Sequence, residues 1–217
     1  MEPKDEDAEQ AAGGGRSSRK RAAILEAATN VFLRDGYLGA SMDEIAALSV
    51  VSKQTVYKHF SSKEALFVEI VSSMTDRAGD VVRDEVSELD ECGDVAAYLE
   101  AYAYRQLSVV LTPRVMQLRR VVIAEVGRFP ELAKVLYERG PARAMHLLAG
   151  LLERLAGRGL LVIDDYRTAA SHFNWLVMAE PLNRAMLVGD EAIPKPVELR
   201  RFASEGVRVF LAAYGKR

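Results

Sequence analysis

The chain has 217 residues, 49% of them apolar, and a net charge of −2, which suits a small domain set on a larger one. It holds no run of roughly 18 uncharged apolar residues that would span a bilayer, and its charged, Gly-rich start lacks the apolar stretch of a secretory signal. The lone cysteine, Cys92, excludes an intrachain disulfide, so a cytoplasmic protein is expected.

Residues 1–15 carry one basic side chain against five acidic ones, with almost nothing to bury, and 1–17 is expected to be a disordered tail. A first helix is predicted from Ser18 to Asp35, with Ile24, Ala27, Ala28, Val31 and Phe32 on one face and Gly36 as its left-handed stop. The next stretch, SMDEIAALSVVSKQTVYKHFSSKEALF, starts a helix three times. Ser41 and Glu44 form a capping box for Met42–Leu48, and Ser52 caps Lys53–Phe60 with Val51 and Val56 at hydrophobic-staple spacing. The Ser61-Ser62-Lys63-Glu64 run is a further capping box, opening a long helix from Ser62 to Glu88. After the ECGD break, helices are predicted for Asp94–Leu111 and, with Thr112 as cap and Pro113 in the first turn, for the segment beyond. Pro130 and Pro141 punctuate the middle of the chain, and a helix begun near Ala142 ends at AGRGLLVIDD. The last two helices run Asp165–Val188, where Pro181 should introduce a kink, and Pro196–Tyr214. Only Leu160–Ile163 reads as β, too short to seed a sheet. The fold class is all-α, about nine helices, with a helix-turn-helix domain at 18–64 and a larger domain at 65–217.

The two short helices pose a question, since isolated helices of about two turns are marginal in water. Residues 16–63 answer in part, holding eight basic against four acidic side chains and so suggesting an anionic partner. On a helical wheel Val56 and Phe60 face the core. Gln54, Thr55 and Lys58 point away from it, flanked by Lys53 and Tyr57 on one side and His59 on the other. A helix laid in a DNA major groove uses such a face, and the groove then sets its length.

Residues 21–67 resemble the DNA-binding segment of TetR-type transcriptional regulators, in the Ile-Ala pair, the Val-Ser turn, the Tyr-x-x-Phe helix end and the Ser-Lys-Glu-x-Leu start. RRVVIAEVGRFPEL, GPARA and WLVMAEPLNRAM are similar to the C-terminal part of the AefR-like branch. The resemblance implies that Lys53, Gln54, Thr55 and Lys58 face the groove of double-stranded operator DNA. It also implies that Tyr57 and His59 brace neighbouring phosphates, that Ser52 lies at the interface, and that Ser41 and Lys63 add phosphate contacts at helix N-termini. Arg16, Arg19 and Arg21 would reach the DNA from the arm. The competing readings are that Lys63 is solvated, that Tyr57 is packing filler and that the arm touches nothing. Val50 stands where the family commonly has Gly, so either it is strained or the turn takes another route, and no operator sequence carries over.

For the larger domain the resemblance implies a homodimer formed by the last two helices. Leu176, Ala179, Leu182, Asn183 and Met186 would line one, and Leu199, Phe202, Ala203, Gly206, Phe210 and Ala213 the other; the competing reading is intrachain core. It also implies an internal site for a small apolar or amphipathic effector. Candidates by residue type are Tyr98, Tyr102, Arg105, Met116, Arg119, Phe129, Met145, His146, Trp175 and Met178, though each taken singly reads more readily as plain core or surface. No cofactor or metal is expected: His59, His146 and His172 lack ligand spacing, the Gly13–Gly15 run follows no strand, and Ser17-x-x-Lys20 lies in the tail. The expected function is a DNA-binding transcriptional regulator, a repressor released by its effector. The alternative is a helical interaction protein that dimerises without regulated DNA binding.

Overall fold

The structure, a computed structural model, describes the backbone of residues 6–83 and 94–216, and side chains of 15–75 and 94–216. It divides into two compact units, Met1–Val71 and Ser72–Arg217. The division falls inside a helix, whereas the sequence suggested a boundary after Glu64.

In the first unit, α1 (Glu6–Gly39) packs Ile24, Ala27, Ala28, Val31 and Phe32 into the core. It begins well before Ser18, so residues 6–17 are helical where a disordered tail was expected. Ala8, Glu9, Gln10, Ala11 and Ala12 favour a helix, but Asp7 and the Gly13–Gly15 run do not, so propensity alone gives no account of this early start. Gly36 breaks the helical path at φ 73°, ψ 177°, a conformation costly for any residue with a Cβ. Beyond it Tyr37 turns back into an aromatic cluster, with ring centroids 5.8 Å from Phe32 and 5.2 Å from Phe67, and Phe32 4.8 Å from Phe67. These rings tie α1 to α4 (Lys63–Arg83). Between them lie α2 (Met42–Leu48) and α3 (Lys53–His59).

The expected capping boxes are only half made. Ser41 Oγ accepts from the Asp43 amide (3.3 Å), but Glu44 turns instead to Arg34 of α1 (2.6 Å). At α4 it is Ser62 that caps, accepting from the Ala65 amide at 3.0 Å, which puts Glu64 one position too early to reach back. The expected end of α4 at Glu88, the ECGD break and Cys92 lie outside the described residues.

The second unit comprises α5 (Val95–Val110), α6 (Pro113–Ala124), α7 (Pro130–Tyr137), α8 (Arg143–Gly157), α9 (Tyr166–Val188) and α10 (Pro196–Tyr214). Asp94, Thr112 and Asp165 cap α5, α6 and α9 through their side-chain oxygens. Pro141 does not end a helix. A π-helical turn, Glu138–Ala142, carries the chain from α7 into α8, because a widened turn absorbs the missing N–H and the ring bulk of proline. Counted as one rod, α7–α8 makes nine helices among the described residues. Pro181 is buried inside α9, whose helical path is unbroken. The short Leu160–Ile163 run makes only an isolated antiparallel bridge, Leu161 to Gly215.

The core of this unit is Leu99, Leu107, Met116, Leu148, Leu152, Phe173, Val177, Val207 and Phe210, with α10 packed on α5 and α9, and α8 on α9. Here one expectation is corrected. Leu199, Ala203, Gly206 and Phe210 of α10, expected to form a stripe for a second chain, are buried inside this one. Gly206 lies against α9 so closely that a Cβ there would sit 2.8 Å from Val177 Cγ2. The large apolar positions of these two helices that stay exposed are Trp175, Leu176, Leu187 and Val188 of α9 and Val197 and Val209 of α10.

Candidate functional site

The turn between α2 and α3 is the most constrained backbone in the first unit. Val51 N donates to Ala46 O (3.1 Å) and Val50 N to Ala47 O (3.2 Å), the pair of bonds that closes a helix when the residue after the cap is left-handed. That residue is Val50, at φ 55°, the one non-glycine with positive φ among the described residues. Of the two alternatives left by the sequence, the structure takes the strained one. Val50 is 91% exposed, so its side chain packs on little that would offset the strain. Val50→Gly is therefore expected to stabilise the fold by about 1 kcal/mol, the left-handed cost of about 1–2 less the chain entropy of glycine. The check is a higher urea midpoint at unchanged slope. An unshifted midpoint would show that the strain is absent in solution.

The turn aims α3. Ser52 Oγ accepts from the Thr55 amide (3.2 Å) and meets Thr55 Oγ1 (2.8 Å), fixing the first turn. Val56 and Phe60 are buried, anchoring the inner face as expected. Ser52, Lys53, Gln54, Tyr57 and Lys58 are exposed, while Thr55 and His59 are half-buried. The basic residues differ in how they are engaged. Lys53 pairs with Asp43 of α2 (2.9 Å), whose carboxylate hydrogen bond holds the ammonium pKa above its usual value. Lys63 donates to Leu38 O (3.2 Å) and lies 5.0 Å over the Tyr37 ring. Arg21 pairs with Glu69 (2.7 Å) and covers Phe60, so it braces the unit rather than extending from an arm. Arg16 and Arg19 are exposed, as is Ser41. The side chains of Gln54, Tyr57, Lys58 and His59 make no hydrogen bond or ion pair with a described residue, and of these Gln54 and Lys58 carry the amide and ammonium ends. A short capped helix with free amide and ammonium groups facing outward can exchange hydrogen bonds with base edges.

The second unit encloses a cavity of about 480 Å³ between α4, α5, α6, α7, α8 and α9, within the size range of small-molecule sites. Of the ten residues chosen by type, Tyr102, Arg119, Met145, Trp175 and Met178 line it. The other five do not. Met116 is buried in the core, Tyr98 packs beside it, Arg105 lies in a separate shallow groove with Arg200, Phe129 caps α7, and His146 is exposed. Sequence reasoning missed Gln106 and Asn174, which meet across the cavity wall at 3.0 Å (Gln106 Nε2 to Asn174 Oδ1). It also missed Arg139, Gly140 and Pro141 of the π turn, a distortion that is frequent at functional sites. Burial pushes the Tyr102 hydroxyl above its ordinary pKa and the Arg119 guanidinium below its own. Gln106 Oε1 and Arg119 Nε are buried with no hydrogen-bond partner. No described helix is long and apolar enough to cross a membrane, and no cluster of potential metal ligands occurs among the described residues.

Comparison with known proteins covers both units. Residues 24–70 match the family model for bacterial regulatory proteins of the tetR family, and residues 97–216 match that for the C-terminal domain of AefR-like transcriptional repressors. A solved structure from Mesorhizobium loti MAFF303099, described as a TetR-family transcriptional regulator, is 38% identical. It superposes with a TM-score of 0.86 over 93% of this chain and 99% of that one. The flavonoid-responsive regulator FrrA is 31% identical, with a TM-score of 0.74 over 92% of this chain and 99% of its own. The transcriptional activator FasR of Mycolicibacterium smegmatis is 36% identical over 98 residues. That match covers 42% of this chain and 45% of FasR, so the chain spans under half of that relative's length.

Proposed function

The chain belongs to the TetR family of DNA-binding transcriptional regulators, and on that premise we propose that it is a homodimeric repressor released from its operator by a small apolar or amphipathic ligand. The observation that carries DNA reading is the outward face of α3, where Gln54 and Lys58 are unpartnered beside exposed Tyr57. In this reading Gln54, Thr55 and Lys58 meet base edges, and Tyr57 and His59 brace phosphates. Lys53 contributes after yielding Asp43. The match of residues 97–216 to a repressor domain supports the sign of regulation, and the cavity supports the effector, as does likeness to a regulator named for its response to flavonoids. The dimer seam falls on the exposed apolar positions of α9 and α10, Leu176 and Val209 among them. A two-fold dimer reads half-sites about one helical turn, or a multiple, apart.

The test is a gel-shift titration against the DNA upstream of the protein's own gene, at several salt concentrations, with a reporter for the sign. A steep salt dependence with selection of one palindrome supports the reading. Binding indifferent to sequence would refute it.

Release is proposed to run through α4. This one helix holds Leu66, Phe67, Ile70 and Val71 in the core of the first unit and Met74 and Thr75 on the cavity wall of the second. A ligand shifts such a helix only by its differential affinity for two states, with coupling typically about 1–3 kcal/mol. Coupling is reciprocal, so operator DNA is expected to weaken ligand binding about 5- to 150-fold, by the same factor that ligand weakens DNA binding. Calorimetric titration of ligand with and without operator measures it. A ligand affinity unchanged by DNA would remove the mechanism.

A further inference from the structure

The cavity has a charge pattern that its apolar lining conceals. Three arginines line it, Arg119, Arg139 and Arg143, and among the described residues no Asp or Glu does. Arg139 and Arg143 each already have an interaction partner. Arg119, on α6, has none: it makes no ion pair or hydrogen bond with a described residue, and its Nε is shut off from solvent. Leu118, Leu136, Met145, Met178 and Leu182 supply the apolar walls around it. Burying a charge is costly unless a counter-charge accompanies it, and no described residue supplies one to Arg119. The desolvation that lowers the Arg119 pKa shows the same imbalance.

We propose that the cavity takes an amphipathic carboxylate, an apolar body bearing one anionic group, with the Arg119 guanidinium as its counter-ion. One planar guanidinium matches one carboxylate by two parallel hydrogen bonds. A doubly charged phosphate is a poorer fit, because the other two arginines are already engaged. Gln106 Oε1 accepts rather than donates, so it suits a hydroxyl on the ligand's body and not its carboxylate. This inference rests on the cavity being the effector site and adds the chemical class of effector.

The experiment is calorimetric titration of the full chain with two matched pairs, decanoate with decanamide and 2-naphthoate with 2-naphthamide, each pair differing in charge and little else. In at least one pair the carboxylate is expected to bind about tenfold or more tighter than its amide, the discrimination of a buried charge-assisted hydrogen bond. Arg119→Met is expected to reduce that preference to within about threefold, and Arg119→Lys to keep most of it. Ligand-free Arg119→Met should melt at or above the unmutated protein, since it removes a buried charge with no partner. Equal binding of both members, no binding by either pair, or a preference that survives Arg119→Met would overturn the proposal. A fall of several degrees in the Arg119→Met midpoint would also overturn it, by making the arginine part of the scaffold. Operator titrations separate the two readings. If the carboxylate binds through Arg119 yet leaves DNA affinity unchanged, the anion site stands and the effector reading falls.

Discussion

Lys58→Ala is expected to weaken binding to the cognate operator by about ten- to a hundredfold while relaxing the base preference at the position it reads. The magnitude is that of one good base-edge contact, about 1–3 kcal/mol of discrimination. Lys58 qualifies because it is exposed on the outward face of α3 and has no protein partner to give up. Lys53 stands next to the same face but is held by Asp43 at 2.9 Å, so its gain on binding DNA is offset by the ion pair it leaves. Lys53→Ala is accordingly expected to cost less. Tyr57→Phe removes only a hydroxyl from a ring that is 43% exposed, and should weaken all sequences alike, as a phosphate contact does. Binding isotherms against a set of single-base operator variants distinguish the three. If Lys58→Ala weakened every variant equally and lowered the salt slope by about one, Lys58 would be a phosphate contact, and α3 would sit in the groove rotated from the orientation proposed.

The parts of this interface legible in the sequence are those decided within a few residues. Helical period separates Val56 and Phe60 from Gln54 and Lys58. Ser52 caps α3 as its position suggests, and a valine in a glycine position marks the turn as unusual without knowledge of its φ. What could not be read is what each cation does in the fold. Lys53 meets Asp43 ten residues back, Lys63 meets the carbonyl of Leu38 twenty-five residues back, and Arg21 meets Glu69 across the unit. Such pairings depend on how helices approach one another, on which local pattern is silent. The cavity shows the same limit. Choosing by residue type found Tyr102, Arg119, Met145, Trp175 and Met178 but passed over Gln106 and Asn174, which meet only through the packing of α5 and α9. Amphipathic period likewise identified the buried stripe of α10 without deciding which chain buries it.

That last ambiguity yields the second large effect. Gly206→Trp is expected to lower the stability of the fold itself by about 1–3 kcal/mol or more, the usual cost of forcing volume into a packed core. A Cβ at this position would lie 2.8 Å from Val177 Cγ2, 3.3 Å from Val177 Cα and 3.4 Å from the backbone carbon of Leu176. The valine rotamer has little room to change, since its own side chain is fully buried, and the other two atoms are backbone. Even Gly206→Ala should therefore destabilise, although in an open helix it would gain about 1 kcal/mol of propensity. Opposite signs from packing and propensity make alanine the sharper variant, and tryptophan the larger effect. Because Val177 belongs to the same chain, the lowered melting midpoint should persist across protein concentrations. Leu176→Glu and Val209→Glu, at exposed positions of the same two helices, should instead leave a folded monomer by sedimentation. A Gly206→Trp protein that is folded, monomeric and unchanged in stability would return this glycine to the seam between subunits.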